Sequence, residues 1–220
     1  MRPRHIVALA ASIACAALAG CATSRSEVSL GAPEAAGAAP APSTGKTALI
    51  RSVKDERVFE QAPRDQSVPS LGFEGSAQAT AETKLRAIGR KRSGLGKALG
   101  DVLLQEGQTV ETVVRQSLSD ALRQAGYQVV QADGGKTPDL VVDAHIKQFW
   151  AYLRPGFWAI TVSADIATNL DISGRADPLR ISVHNEDARQ IVTDGAWIEV
   201  VQKALQSYRA TAAQRFEGLR

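Results

Sequence analysis

DLVVDAHIKQFWAYLRPGFWAITVSADIATNLDI, residues 139–172, alternates apolar and polar side chains on both sides of one sharp turn. Val142, Ala144 and Ile146 point one way, and Asp143, His145 and Lys147 the other. Such a period of two is that of a half-buried strand. Arg154-Pro155-Gly156 supplies the turn, after which Trp158, Ile160, Val162, Ala164 and Ile166 face in against Thr161, Ser163 and Asp165. A third run follows a break near Asp171–Pro178, with Leu179, Ile181 and Val183 inward and Arg180, Ser182 and His184 outward. Three such strands predict an antiparallel meander, dry on one face and wet on the other.

The dry face needs a cover, and the flanking sequence offers two. Val110, Val113, Val114, Leu118, Ala121, Leu122 and Ala125 fall on one stripe of a helix that Thr109 can cap and Gly126 can end. Trp197, Val200, Val201, Ala204, Leu205 and Tyr208 form the stripe of a last helix, starting at Thr193 or Asp194. ALIRSV (48–53) and Tyr127–Val130 read as further strands. The order predicts an α+β fold, a two-layer sandwich of a mainly antiparallel sheet with two amphipathic helices on one face. Residues 47–217 are expected to form this single domain.

The chain has 220 residues, a formal charge of +3 and a pI near 9.0. That basicity would suit nucleic acid, but the N-terminus accounts for part of it. Arg2, Arg4 and His5 precede an apolar run from Ile6 to Ala19, too short to span a bilayer comfortably. It ends in Leu18-Ala19-Gly20-Cys21, which resembles the lipobox of bacterial lipoproteins. The resemblance implies a signal peptide over 1–20, cleavage between Gly20 and Cys21, and a diacylglyceryl group on the Cys21 sulfur with acylation of the new amino group. Two or more chains anchor stably. Ala22 stands where an aspartate would favour inner-membrane retention, so the outer membrane is expected, with the domain facing the periplasm. Removing Arg2 and Arg4 from the 26 basic residues leaves 24 against 23 acidic ones, and nucleic acid drops out. Cys15 leaves with the signal, so no disulfide or thiolate chemistry is available.

Residues 21–46 read as the lipidated cysteine and a flexible Ala/Pro tether. Within it Ser43–Thr47 imitates a phosphate-binding loop, but Pro40 stands where glycine is required, so no nucleotide is expected. Residues 85–104, LRAIGRKRSGLGKALGDVLL, read as a basic glycine-rich loop. Arg86, Arg90, Lys91, Arg92 and Lys97 are candidate contacts to anionic lipid headgroups, against the simpler reading of a solvated loop.

The LAGC box, ALIRSV with its charged tail KDER, the helix VVRQSLSDALRQAGYQVV, the 139–172 hairpin and WIEVVQKALQSYRATAAQRF together resemble the YajG family of bacterial lipoproteins. The resemblance covers most of 47–216, is one of pattern and order, and implies a periplasm-facing α+β domain. It brings no catalytic motif and no active site.

Asp143 and His145, with Asp165 and His184, could supply a metal or an acid–base site on the polar face, but any amphipathic sheet needs polar residues there. No cofactor, metal ligand or catalytic residue is therefore assigned. Phe149, Trp150, Tyr152, Phe157 and Trp158 are packed around Arg154, too many for one face to bury. These six residues are the candidate contact to an envelope partner or to the membrane. The expected function is a binding or scaffolding lipoprotein with a periplasmic or envelope protein as partner. Its rivals are a carrier of a lipid or cell-wall fragment, and a periplasmic hydrolase.

Overall fold

The computed structural model describes residues 25–31, 45–72, 75–92, 97–132 and 137–219. The signal segment, Gly20, Cys21 and most of the 21–46 stretch lie outside the described residues. Among the described residues, eight strands and four helices follow in the order β1 (Ser26–Val28), β2 (Thr47–Asp55), α1 (Gly75–Gln78), α2 (Ala81–Arg86), β3 (Ala87–Arg92), β4 (Ala98–Leu104), α3 (Val110–Gln124), β5 (Gln128–Val130), β6 (Leu140–Pro155), β7 (Ile160–Ile172), β8 (Leu179–Arg189) and α4 (Asp194–Glu217).

The expected meander is present. β6 pairs antiparallel with β7, and β7 with β8, over nearly their whole lengths. The sheet as a whole departs from the expectation, because it is mixed rather than mainly antiparallel. β1 runs parallel to β4, β2 to both β5 and β6, and β3 to β6, while β3 and β4 form an antiparallel hairpin. Parallel neighbours are joined by long crossovers. Alternation within a strand shows its faces, but says nothing about which distant strand lies beside it.

Both long helices form where their stripes place them. A capping box of Thr109 and Thr112 starts α3, and Gly126 ends it at φ +82°. Val110, Val114, Leu118, Ala121 and Leu122 are buried on its inner face. In α4, Trp197, Val200, Val201, Ala204, Leu205, Tyr208 and Phe216 join them over Ile50, Val142, Ile146, Phe149 and Ile166 of the sheet. Among the described residues no helix is long and apolar enough to cross a membrane.

Two segments expected to be loops are structured. Part of the 21–46 tether is an edge strand: β1 adds to β4, and Val28 and Leu30 are buried in the main core. Three residues suffice because the β4 edge supplies the hydrogen-bonding partner. The basic 85–104 segment is also no solvated loop, since it holds the end of α2 and the β3–β4 hairpin, with Ala87, Ile88, Val102, Leu103 and Leu104 buried. Its apolar residues have short spacings that glycine and arginine interrupt, which hides the strand pattern.

Nor is the polar face of the sheet wet throughout. The loop from Glu56 to Gly72 lies across the far half of β6, where Leu71, Ala87, Leu103, Trp150 and Tyr152 make a second, smaller core with Phe59 packed on it. Gln148 donates to the Ser67 carbonyl at 2.7 Å and Trp150 Nε1 to the Gln66 carbonyl at 3.2 Å. These bonds satisfy groups that the cover takes from water.

Candidate functional site

The candidate aromatic residues separate into two groups, and a bulge is the cause. The β6–β7 register shifts between Ile146 and Gln148. An extra residue in one strand reverses which face the following side chains take. Val142, Ala144 and Ile146 point into the main core, and beyond the bulge Phe149 and Ala151 do so. Trp150 and Tyr152 then enter the second core on the opposite face. Phe149, Trp150 and Tyr152 are thus all buried, and the loop over the sheet is what allows it.

Phe157 and Trp158 stand out of the hairpin end, 90% and 85% exposed, in an edge-to-face pair with ring centroids 4.8 Å apart. Trp158 was expected to face inward, but β7 begins only at Ile160, so the alternation does not extend back through the turn. Gly156 donates its N–H to the Ala159 carbonyl at 2.8 Å, which closes the turn under the two rings. Arg154 is exposed and lies over the Tyr152 ring at 4.9 Å. Burial first, then the Asp165 carboxylate nearby, pushes the Tyr152 phenol up to about 12.

One further residue belongs to this end. Ile191 is 77% exposed and lies two residues after the end of β8. Ile160 pairs with Arg189 where both strands end, so Ile191 lies just beyond the same end of the sheet as the turn that carries Phe157 and Trp158. Sequence reading missed it because it ended the third strand at His184. The signal available was Ile191-Val192, two apolar residues beyond the alternating run.

The basic candidates are built into the fold. Arg86 donates to the Leu104 carbonyl at 2.9 Å and pairs with Glu27 at 2.5 Å. Lys91 bonds Ser26 and, at 3.0 Å, Asp194. Arg92 reaches the Pro63 carbonyl at 3.0 Å and Ser70 Oγ at 3.1 Å, and Arg90 meets the same hydroxyl at 3.2 Å. Burial lowers the proton affinity of Arg90 and Arg92. Lys97 immediately precedes β4 and has an interaction of its own. Asp101 is fully buried among them, accepting from the Gly72 N–H at 2.6 Å and facing Arg25 at 3.4 Å.

On the open part of the polar face, Arg51, Ser52, Lys54, Asp143, His145 and Asp171 line a shallow basin of about 330 Å³. Asp143 and His145 share it without pairing. Asp143 accepts from Arg51 and, at 2.6 Å, from Ser52, and the Arg51 guanidinium holds its carboxyl below the usual range. His145 meets Glu56 at 2.6 Å and Asp171 at 3.2 Å. Lys147 first, then His145, pulls the Glu56 carboxyl down to about 2.

Asp165 and His184 form a separate pair at 2.7 Å across β7 and β8. Asp143 lies opposite Asp171 and Trp150 opposite Asp165, so six residues of β7, about 20 Å, divide the two sites. The four polar candidates therefore make no common centre. Asp165 raises the pKa of His184. A raised value means the contact stabilises fully below the ordinary value of 6.5 and is lost as pH rises through the folded-state value. An NMR titration should give His184 a midpoint above 6.5, and Asp165→Asn should lower it; an unchanged midpoint in the variant would assign the shift elsewhere.

No family model matches the chain, and no curated protein does. Solved structures of low identity do. One is a protein without assigned function, 11% identical, with 88% of this chain and 97% of that one aligned at a TM-score of 0.42. A Xanthomonas campestris protein of family DUF330 is 10% identical over 90% and 93% of the two chains, with a TM-score of 0.43. A Caulobacter crescentus protein described as a lipoprotein is 14% identical over 49% and 77%, with a TM-score of 0.27.

Proposed function

We propose that this chain is an outer-membrane lipoprotein, acylated at Cys21, whose domain faces the periplasm and binds or scaffolds a component of the envelope. The observation that carries the binding role is the Phe157–Trp158 pair, held almost wholly in solvent on an ordered hairpin. Large rings left in water at the end of a well-packed sheet mark a contact surface more often than a structural need. Anchoring rests on the basic start, the apolar run and the LAGC box. The β1 strand adds a consequence, because Arg25 is already part of the fold and only three residues separate it from Cys21. The domain is then held against the bilayer instead of drifting on a long tether.

The rival readings have less support. A carrier would need room between sheet and helices, where Phe149, Trp197, Tyr208 and Phe216 are packed. A hydrolase would need Asp143 and His145 to work together, and each is bonded to other residues.

Metabolic labelling with palmitate, followed by membrane fractionation, tests the anchor. Wild-type protein should carry label and sediment with the outer membrane, whereas Cys21→Ala should carry none. An unlabelled wild-type protein overturns the reading.

A further inference from the structure

The geometry points to the Phe157–Trp158 hairpin end, with Ile191, as a foot that inserts into the bilayer interface beside the acyl anchor. The proposal deepens the lipoprotein reading and rests on acylation at Cys21.

Strand register places the anchor and the rings at the same end of the molecule. Ser26 pairs with Val102, Val102 with Gly89, and Gly89 with Ala151, so Ser26 stands in the row of Ala151 across four strands. β1 is parallel to β4, β4 antiparallel to β3, and β3 parallel to β6, so β1 runs opposite to β6. Walking back from Ser26 therefore leads in the direction that β6 takes toward its turn. The end of β6 at Pro155 lies four residues beyond Ala151, about 13 Å, and Phe157 stands in the turn past it. Cys21 lies five residues before Ser26, an extended reach of about 17 Å. That length of chain is enough to let a lipid on Cys21 and the two rings meet one bilayer surface, with β1 three strand spacings, about 14 Å, from β6.

A second observation fixes the same end independently. Ser26 Oγ donates to Asp194 at 2.9 Å and Lys91 to the same carboxylate at 3.0 Å. These bonds pin the entering chain to the start of α4, three residues after Ile191.

The chemistry of the surface suits lipid. Trp favours the headgroup level, where its ring is half in hydrocarbon and its N–H in water. The turn segment 154–160 contains Arg154 and no acidic residue, so Arg154 is the charge it presents to an anionic headgroup, while Arg189 at the end of β8 is taken up by Asp187 and Glu199. Trp150 and Trp197 are buried, which leaves Trp158 as the exposed reporter of the three tryptophans.

The test uses acylated full-length protein in phosphatidylethanolamine/phosphatidylglycerol vesicles, with and without acyl chains brominated near the headgroup. Flotation and intact mass report the anchor, and tryptophan emission reports the foot. Wild-type protein should float and lose roughly one third of its emission, the share of one tryptophan in three, to the brominated lipid. Trp158→Phe should float and lose almost none. Both residues are exposed, so Phe157→Ser with Trp158→Ser should keep the wild-type melting curve and serve as the folded control. Floating protein whose Trp158 stays unquenched overturns the foot and leaves the anchor intact, as does a protein adduct captured by a photocrosslinker at Phe157 with Trp158 unquenched. Wild-type protein that lacks acyl mass and stays with the soluble fraction overturns both.

Discussion

Replacing Arg57 with methionine should destabilise the domain by about 3–5 kcal/mol, the usual cost of breaking a buried ion pair from one side. The Arg57 side chain is wholly buried. Its guanidinium donates to Asp55 Oδ1 at 2.8 Å and Oδ2 at 2.7 Å, to the carbonyls of Ala87 at 2.7 Å and Lys84 at 2.8 Å, and to that of Phe149 at 2.9 Å. The end of β2, the α2–β3 junction and the far half of β6 thus meet on one cation. Methionine fills similar space and leaves three carbonyls and the nearly buried Asp55 carboxylate without their donor, and unmet buried groups are what make such changes expensive. The ring of Phe59, 5.1 Å from the guanidinium and edge-on to Trp150, would lose its support as well. Against a typical total of about 5–15 kcal/mol, the urea midpoint should fall sharply. Arg57→Lys should fall too, because an ammonium cannot reproduce a planar fork of five donors. A methionine variant within about 1 kcal/mol of wild type would refute this role for Arg57.

Trp197→Ala should cost a similar amount, about 3–5 kcal/mol, because the indole is buried where α4 crosses the junction of β3 and β6. Gly89 shows how tight that crossing is. A Cβ there would lie 2.9 Å from the indole and 2.9 Å from the Ala151 carbonyl, closer than real Cβ contacts allow. Gly89→Ala should therefore destabilise by about 1–3 kcal/mol through overpacking. Combined with Trp197→Ala it should cost less than the sum, since the clash with the indole is then gone and that with the Ala151 carbonyl remains. Additive losses in chemical denaturation would mean that the two residues do not meet at that crossing. Loss of the Gly89 crossing would also loosen the β3–β4 hairpin that carries β1, and with it the chain leading from the anchor.

Legibility followed the range of the determining interactions. The α3 stripe from Val110 to Ala125, its Thr109 cap and its Gly126 end are local, and all three stand in the structure as their spacing predicts. The β6–β8 meander is nearly as local, joined by short turns. The aromatic cluster was readable as too large for one face. Its partition was not, because it needs the bulge before Gln148 in the β6–β7 pairing and the cover over Trp150 from the Glu56–Gly72 loop, 80 or so residues away in sequence. The basic residues of β3 illustrate the same limit. Charge and glycine content describe a loop, while the partners Pro63 and Ser70, Ser26, and Asp194 come from three other segments.

By itself, the sequence determined the two amphipathic helices, the antiparallel meander and the expectation of an acylated Cys21, because each is written in neighbouring residues. Tertiary structure alone decided that the sheet is mixed, that Ser26–Val28 is one of its strands, and that Phe157, Trp158 and Ile191 share an end with the chain leaving Arg25. Strand partners are chosen by burial and backbone pairing between distant segments, and a period of two carries no information about who the neighbour is.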